Sequence, residues 1–178
     1  MTHALEVVPI LDESAVCSVQ MANGETKVFA TDKLGDTPIL DGLKEGIENC
    51  QIKIEGDNCI IILTSHSGQW GYTIVWDYVQ DRLVHLTNTP FAVSSTVVGS
   101  QIVTMYLVQY WGHPADLWYS AEPLELIDSA HEPERFPLTI SPDDSVKGLD
   151  CCEVFQNRGR LFFRAGGQEQ FLDKLPNN

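Results

Sequence analysis

A step of 41–42 residues between matching aromatic and aliphatic positions constrains this chain more than any other feature. Trp70-Gly71 recurs as Trp111-Gly112, Trp76 as Trp118, and Ile60-Ile61-Ile62-Leu63 as Ile102-Val103-Thr104-Met105. Leu83-Val84-His85-Leu86 finds a looser match in Leu124-Glu125-Leu126-Ile127. A period of that size is one small supersecondary unit, which must stack on its neighbours to bury its apolar faces. The local pattern says what the unit is. Short apolar, β-branched runs recur between Gly, Pro, Asn and Asp, so each unit reads as four strands.

Two central units span residues 50–89 and 90–130. The first uses Gln51–Glu55, Cys59–Thr64, Tyr72–Trp76 and Arg82–Leu86; the second uses Phe91–Val98, Gln101–Val108, Asp116–Tyr119 and Leu124–Ile127. A front unit over 4–48 takes Leu5–Ile10, Ala15–Gln20, Thr26–Ala30 and Thr37–Leu40, with Asn23-Gly24 as a tight hairpin turn. A rear unit over 135–175 takes Phe136–Ile140, Cys151–Phe155, Arg160–Arg164 and Glu169–Leu172. Leu40, Leu43 and Ile47 have helical spacing, but Gly42 and Gly46 limit it to one or two turns. The expectation is a single all-β domain over the 178 residues.

Tyr72-Thr73-Ile74-Val75-Trp76-Asp77, followed by Arg82-Leu83-Val84, resembles the third strand of a WD-repeat blade with its terminal Trp-Asp and the start of the fourth. The next unit keeps the aromatic in Leu117-Trp118-Tyr119 but has Tyr119 in place of the Asp, and the outer units offer Phe29 and Phe162-Phe163. None carries the Gly-His pair of such repeats. The resemblance covers two units, about half the chain. It implies four repeated four-stranded antiparallel units in a four-bladed β-propeller, with Trp76, Trp118 and Phe162 filling the gaps between steeply leaning blades. Two other closures stay open: a two-sheet β-sandwich, and a larger ring completed by a second chain. The chain is accordingly expected to be a monomer or a homodimer.

Eleven basic against 25 acidic residues give a formal charge of −14. A polyanionic duplex or an anionic leaflet repels such a surface, so neither nucleic acid nor membrane is an expected partner. The charge is uneven. Residues 1–50 hold nine acids and three bases, whereas residues 136–178 hold six and five, with Arg158, Arg160 and Arg164 close together. An acidic face that steers a basic protein partner is the sharp reading, and solubility alone is the bland one. Five cysteines (Cys17, Cys50, Cys59, Cys151, Cys152) without Cys-x-x-Cys spacing do not form a disulfide framework, and reduced thiols fit a cytoplasmic protein.

No catalytic motif appears. The chain lacks a phosphate loop, a dinucleotide fingerprint, a Gly-x-Ser-x-Gly elbow, His-Glu-x-x-His and a Ca loop, so no cofactor or metal is expected. Cys152 or Cys17 with a distant histidine is a conceivable nucleophile pair, against which stands the usual buried structural thiol. Asp143-Asp144 reads as a solvated turn after Ser141-Pro142.

The repeat itself proposes a site. Trp70 and Trp111 each precede Gly in a connection between second and third strands, and in stacked units those connections share one face with the linkers between units. That face gathers Trp70, Tyr72, Tyr110, Trp111, His113, His131, Glu132, Glu134 and Arg158. Exposed aromatics ringed by polar groups are the material of binding hot spots; the plain alternative is that both Trp-Gly pairs cap the ring. Three functions compete on this face. A non-catalytic module binding another protein, or an enzyme it regulates, comes first. A carbohydrate or small-ligand binder stacks sugars on the aromatics. A hydrolase assembles its acid–base groups from His113, His131, Glu132 and Asp116.

Overall fold

The computed structural model describes residues 3–10, 14–20, 26–30, 47–65, 71–77, 79–80, 82–109, 115–140 and 151–175; before Gln51, and at Ile52 and Ser65, it describes the backbone alone. Among these residues the chain is all-β, and its strands form four sheets in chain order.

The first sheet is the meander β1 (His3–Ile10), β2 (Ser14–Gln20) and β3 (Thr26–Ala30). Gln20 pairs with Thr26, so β2 and β3 make the antiparallel pair expected around Asn23-Gly24, although that turn and Thr37–Leu40 lie outside the described residues. The expected helical turn is not formed at its end: Ile47 opens a strand, while Leu40 and Leu43 lie outside the described residues.

The second sheet holds β4 (Ile47–Glu55), β5 (Asn58–Ser65), β6 (Gly71–Asp77) and β7 (Arg82–Asn88), the four strands expected of that unit. Gly56 turns β4 into β5 with φ +57°, a conformation that a two-residue hairpin demands and glycine adopts without strain. Gly71 has a different duty. A Cβ there would meet the Leu63 carbonyl oxygen at 2.7 Å, so only glycine lets β5 and β6 lie together at this point.

The third sheet is built on β8 (Ala92–Val98), β9 (Gln101–Val108) and β10 (Asp116–Pro123). Its fourth strand is not the expected Leu124–Ile127. β10 runs four residues further than expected, to Pro123, leaving only Leu124 and Glu125 to reverse the chain. A two-residue reversal needs positive φ, and neither residue adopts it. The chain therefore crosses to the second sheet, where β11 (Leu126–Asp128) pairs in parallel with β7. It returns as β12 (Phe136–Pro137), which pairs with Trp118 and Tyr119 of β10. Phe136 thus belongs to the third sheet and not to the rear unit, and the strap 124–135 covers an otherwise bare edge of the second.

The fourth sheet is the meander β13 (Cys152–Asn157), β14 (Arg160–Ala165) and β15 (Gln168–Leu172). It follows that β13 is the first strand of its sheet, one place earlier than the sequence pattern suggests.

Sheets stack through their leading strands. β1 lies against β4, β8 against β4, β5 and β6, and β13 against β8 and β9. Alternate side chains decide what each face meets. Ile102 of β9 packs with Ile60, Val75 and Val84 of the second sheet. Val103 and Met105 point the other way, into a core shared with Val154, Leu161 and Phe163 of the fourth. The third sheet is therefore buried on both faces. Trp76 is buried in the second sheet, and Trp118 packs part-buried against the cluster of Ile62, Ala92, Tyr106 and Val108. Phe162 lies on the outer face of the fourth sheet, while its neighbour Phe163 takes the inward position.

Candidate functional site

The expected binding face is part visible. Trp70, Tyr110, Trp111 and His113 lie outside the described residues. Tyr72 sits directly across from Asn88 in the β6–β7 ladder. The Asn88 backbone N–H donates to the His131 carbonyl oxygen (2.9 Å), and its side-chain amide donates to Glu132 Oε1 (3.3 Å). Tyr72, His131 and Glu132 therefore meet at one residue, brought there by the strap that runs along β7. His131 Nε2 is 2.8 Å from Glu122 Oε2. Glu132 and Glu134 are exposed at this end of the strands, as is Asp116 at the start of β10. The cation among them, Arg135, is turned inward. Its guanidinium lies over the Tyr106 ring (4.3 Å) and donates to the Pro90 carbonyl oxygen (3.1 Å).

Arg158 does not join this group. Val154 N–H donates to Ser94 Oγ and the Gln156 amide to the Val97 carbonyl oxygen, so β13 advances in the same direction as β8. Arg158, in the turn after β13, thus stands beside Gly99 at the opposite end of the molecule. The one-strand shift in the fourth sheet is the cause.

Where the leading strands meet there is an open cleft of about 480 Å³, lined by Lys53, Glu55, Asn58, Thr96, Glu153 and Gln156 among others. No local motif marked these residues. The Lys53 ammonium has three protons and three acceptors: Glu55 Oε1 (2.5 Å), the Ser95 carbonyl (3.4 Å) and the Val154 carbonyl (3.4 Å). Glu55 in turn accepts from the Thr96 hydroxyl and the Val97 N–H at 2.8 Å each. These groups tie the second, third and fourth sheets to one another, and both charges are engaged in doing so.

Burial shifts three enclosed titratable groups toward their neutral forms. His85 is buried, and burial lowers it from 6.5 to about 4. Its Nδ1 faces the carbonyl oxygens of Pro123 (3.1 Å) and Leu124 (3.2 Å), which only accept, so Nδ1 carries the proton. Nε2 then accepts from the Thr87 hydroxyl at 3.0 Å. His85 is a neutral peg that fixes the start of the strap. Burial pushes the Cys152 thiol up to about 11, aided by Cys151, the opposite of what a nucleophile requires. Burial likewise raises Tyr106 to about 12, and its hydroxyl is hydrogen-bonded to Ser120 (2.7 Å). Among the described residues Cys59, Cys151 and Cys152 are free thiols, and no three His, Cys, Asp or Glu side chains cluster as metal ligands. No described helix is long and apolar enough to cross a membrane.

A second surface was not anticipated. The inner face of the fourth sheet is core, but its outer face carries a row of aromatic rings. Phe155 pairs with Phe162 and Phe162 with Phe171 in register, with ring centroids 5.5 and 6.1 Å apart. Phe171 is 50% exposed, a large value for an aromatic ring. One side of the row is bounded by Glu153, Arg164 and Glu169, also in register and ion-paired; the other by Arg160 and Asp173. Arg164 lies over Phe155 and Arg160 over Phe171. A usable signal was present, because Phe162-Phe163 on a strand must point to opposite faces.

No family model, curated protein or solved structure matches this chain.

Proposed function

We propose that this chain is a non-catalytic interaction module that binds a basic protein partner through the strand ends bearing Tyr72, His131, Glu132 and Glu134. The observation that carries this reading is the convergence of Tyr72, His131 and Glu132 on Asn88, beside exposed carboxylates and with Arg135 turned inward. The result is an acidic rim on a rigid frame, set on a chain of charge −14. Such a rim favours encounter with a positive surface and repels a negative one. The frame we infer is propeller-like, with the leading strands β4, β8 and β13 around one axis. Its support is the reach of Lys53 from β4 to carbonyls on both other strands.

The test uses the full chain as bait in a lysate of its own source. Capture of a basic protein should fall at least about ten-fold on Glu132→Lys with Glu134→Lys, and should weaken with salt. The control Asp57→Lys, at the other end, should leave capture intact. Equal capture by the rim variant and the control, or capture only of acidic proteins, defeats the proposal.

A further inference from the structure

The cleft between the leading strands lies at the end of the molecule opposite the acidic rim: Asn58 pairs with Asp77, a strand's length along β6 from Tyr72. We propose that this cleft is a second binding site, and that it takes a neutral polyhydroxyl ligand of the size of a mono- or disaccharide. Room, charge and unused hydrogen-bonding capacity lead there, and none of them draws on the rim.

Three sheets wall the cleft. Lys53 and Asn58 come from the second, Thr96 from the third, and Glu153, Phe155 and Gln156 from the fourth. Its volume of about 480 Å³ falls within the roughly 300–1,000 Å³ of small-molecule sites. The walls brace one another: Lys53 reaches carbonyl oxygens on β8 and β13, and the Gln156 amide donates to the Val97 carbonyl. A site held this way has little left to order when a ligand arrives.

Charge selects against ions. The three protons of the Lys53 ammonium already meet three acceptors. Each Glu55 oxygen has two donors in reach: Lys53 and the Thr96 hydroxyl at Oε1, the same hydroxyl and the Val97 N–H at Oε2. Glu153 faces Arg164 at 3.6 Å. Every charge in the cleft is thus opposed by another, and an anion would also have to approach a chain of charge −14. A neutral ligand meets neither obstacle.

The capacity left over is neutral and of both kinds. Asn58 is half-buried, and its side-chain amide makes no hydrogen bond to a described residue. It offers donors and an acceptor side by side. Gln156 gives its Nε2 to Val97 and keeps its Oε1 as an acceptor. A hydroxyl both donates and accepts, so a polyol answers Asn58 and Gln156 with a single kind of group. Phe155 adds an apolar wall for the C–H groups of a sugar ring.

Titration of the full chain with a panel of neutral mono- and disaccharides, followed in amide NMR spectra, tests the proposal. At least one sugar should bind saturably with a Kd of about 1 mM or tighter, moving the amide signals of Asn58, Thr96 and Gln156. Asn58→Ala should weaken that binding at least about ten-fold, the worth of one good hydrogen bond, with the dispersion of the unliganded spectrum unchanged. Gln156→Ala, at an exposed position, should weaken it in the same direction. Glu132→Lys with Glu134→Lys should leave sugar binding intact, which separates this outcome from that of the rim. Absence of saturable binding across the panel would overturn the proposal. So would equal or tighter binding of glucosamine or glucuronic acid, a response centred on Tyr72 and Asn88, or an affinity indifferent to both Asn58→Ala and Gln156→Ala.

Discussion

The third and fourth sheets are antiparallel meanders of similar strands with opposite fates. In β9 the five residues Ile102–Tyr106 are all buried, because one face of the sheet meets the second sheet and the other meets the fourth. In β14 burial alternates: Leu161, Phe163 and Ala165 point into the core, while Arg160, Phe162 and Arg164 point away. A strand covered on both sides reads as a continuous apolar run, and one covered on a single side alternates. The instructive exception is Phe162, an aromatic residue on the polar side of an alternating strand. Position in the stack, and not the composition of the strand, decides whether a phenylalanine serves the core or a surface.

The largest expected effect separates these two roles within one dipeptide. Phe163 is fully buried, with its ring 5.1 Å from that of Tyr119 across the sheet boundary. Phe163→Ala should cost about 3–5 kcal/mol of unfolding free energy in a urea titration. Phe162→Ala should cost about 1 kcal/mol or less, because water already reaches that side. Equal costs would break the contrast between the two faces.

This dipeptide also shows how far the sequence could be read. Period-two alternation places Phe162 and Phe163 on opposite faces, yet only the neighbouring sheet decides which face is inside. In the same way Leu124–Ile127 is recognisable as strand, since Leu126 and Ile127 lie in β11, but its partner is not. The absence of a turn residue at Leu124 and Glu125 sends it to the second sheet. Tyr72, His131 and Glu132 are grouped on the expectation that loops and linkers of stacked units share one face; in the structure it is the strap along β7 that carries His131 and Glu132 to Asn88. Arg158 was misplaced by a single strand of phase. Lys53 and Glu55 pair with each other two residues apart on β4, but their remaining acceptors and donors come from residues some 40–100 positions away, which no local pattern shows.

A middle-sized effect concerns the strap that joins the second and third sheets. Burial holds His85 at about 4 in the folded chain, below the 6.5 of an unfolded one, against the raising effect of its two carbonyl acceptors. The charge of His131 lowers it slightly further. Between those two pH values the unfolded chain binds a proton at His85 that the folded chain does not. Stability therefore falls as pH drops from about 6.5 to 4, by about 3 kcal/mol in total, and this contribution levels off below. His85→Gln should flatten that part of the stability–pH curve relative to wild type. An unchanged slope would show that the strap is not pegged by a neutral imidazole, and that the junction between the sheets is softer than their cores.

The smallest effect lies at the exposed edge of the same junction. Arg82 at the start of β7 reaches Glu125 in the strap at 3.4 Å, with side chains 49% and 78% exposed. Arg82 Nε also donates to Gln80 Oε1 at 3.0 Å, so its guanidinium keeps a partner when Glu125 is removed. Water screens a pair this open, and ordering two long side chains offsets much of the attraction. A double-mutant cycle of Arg82→Ala and Glu125→Ala should give a coupling of about 0.5 kcal/mol or less, vanishing near about 0.5 M salt. A coupling three times larger and insensitive to salt would reverse the assignment. The strap would then be held by its charged rim, and His85 would be a bystander to a contact made in solvent.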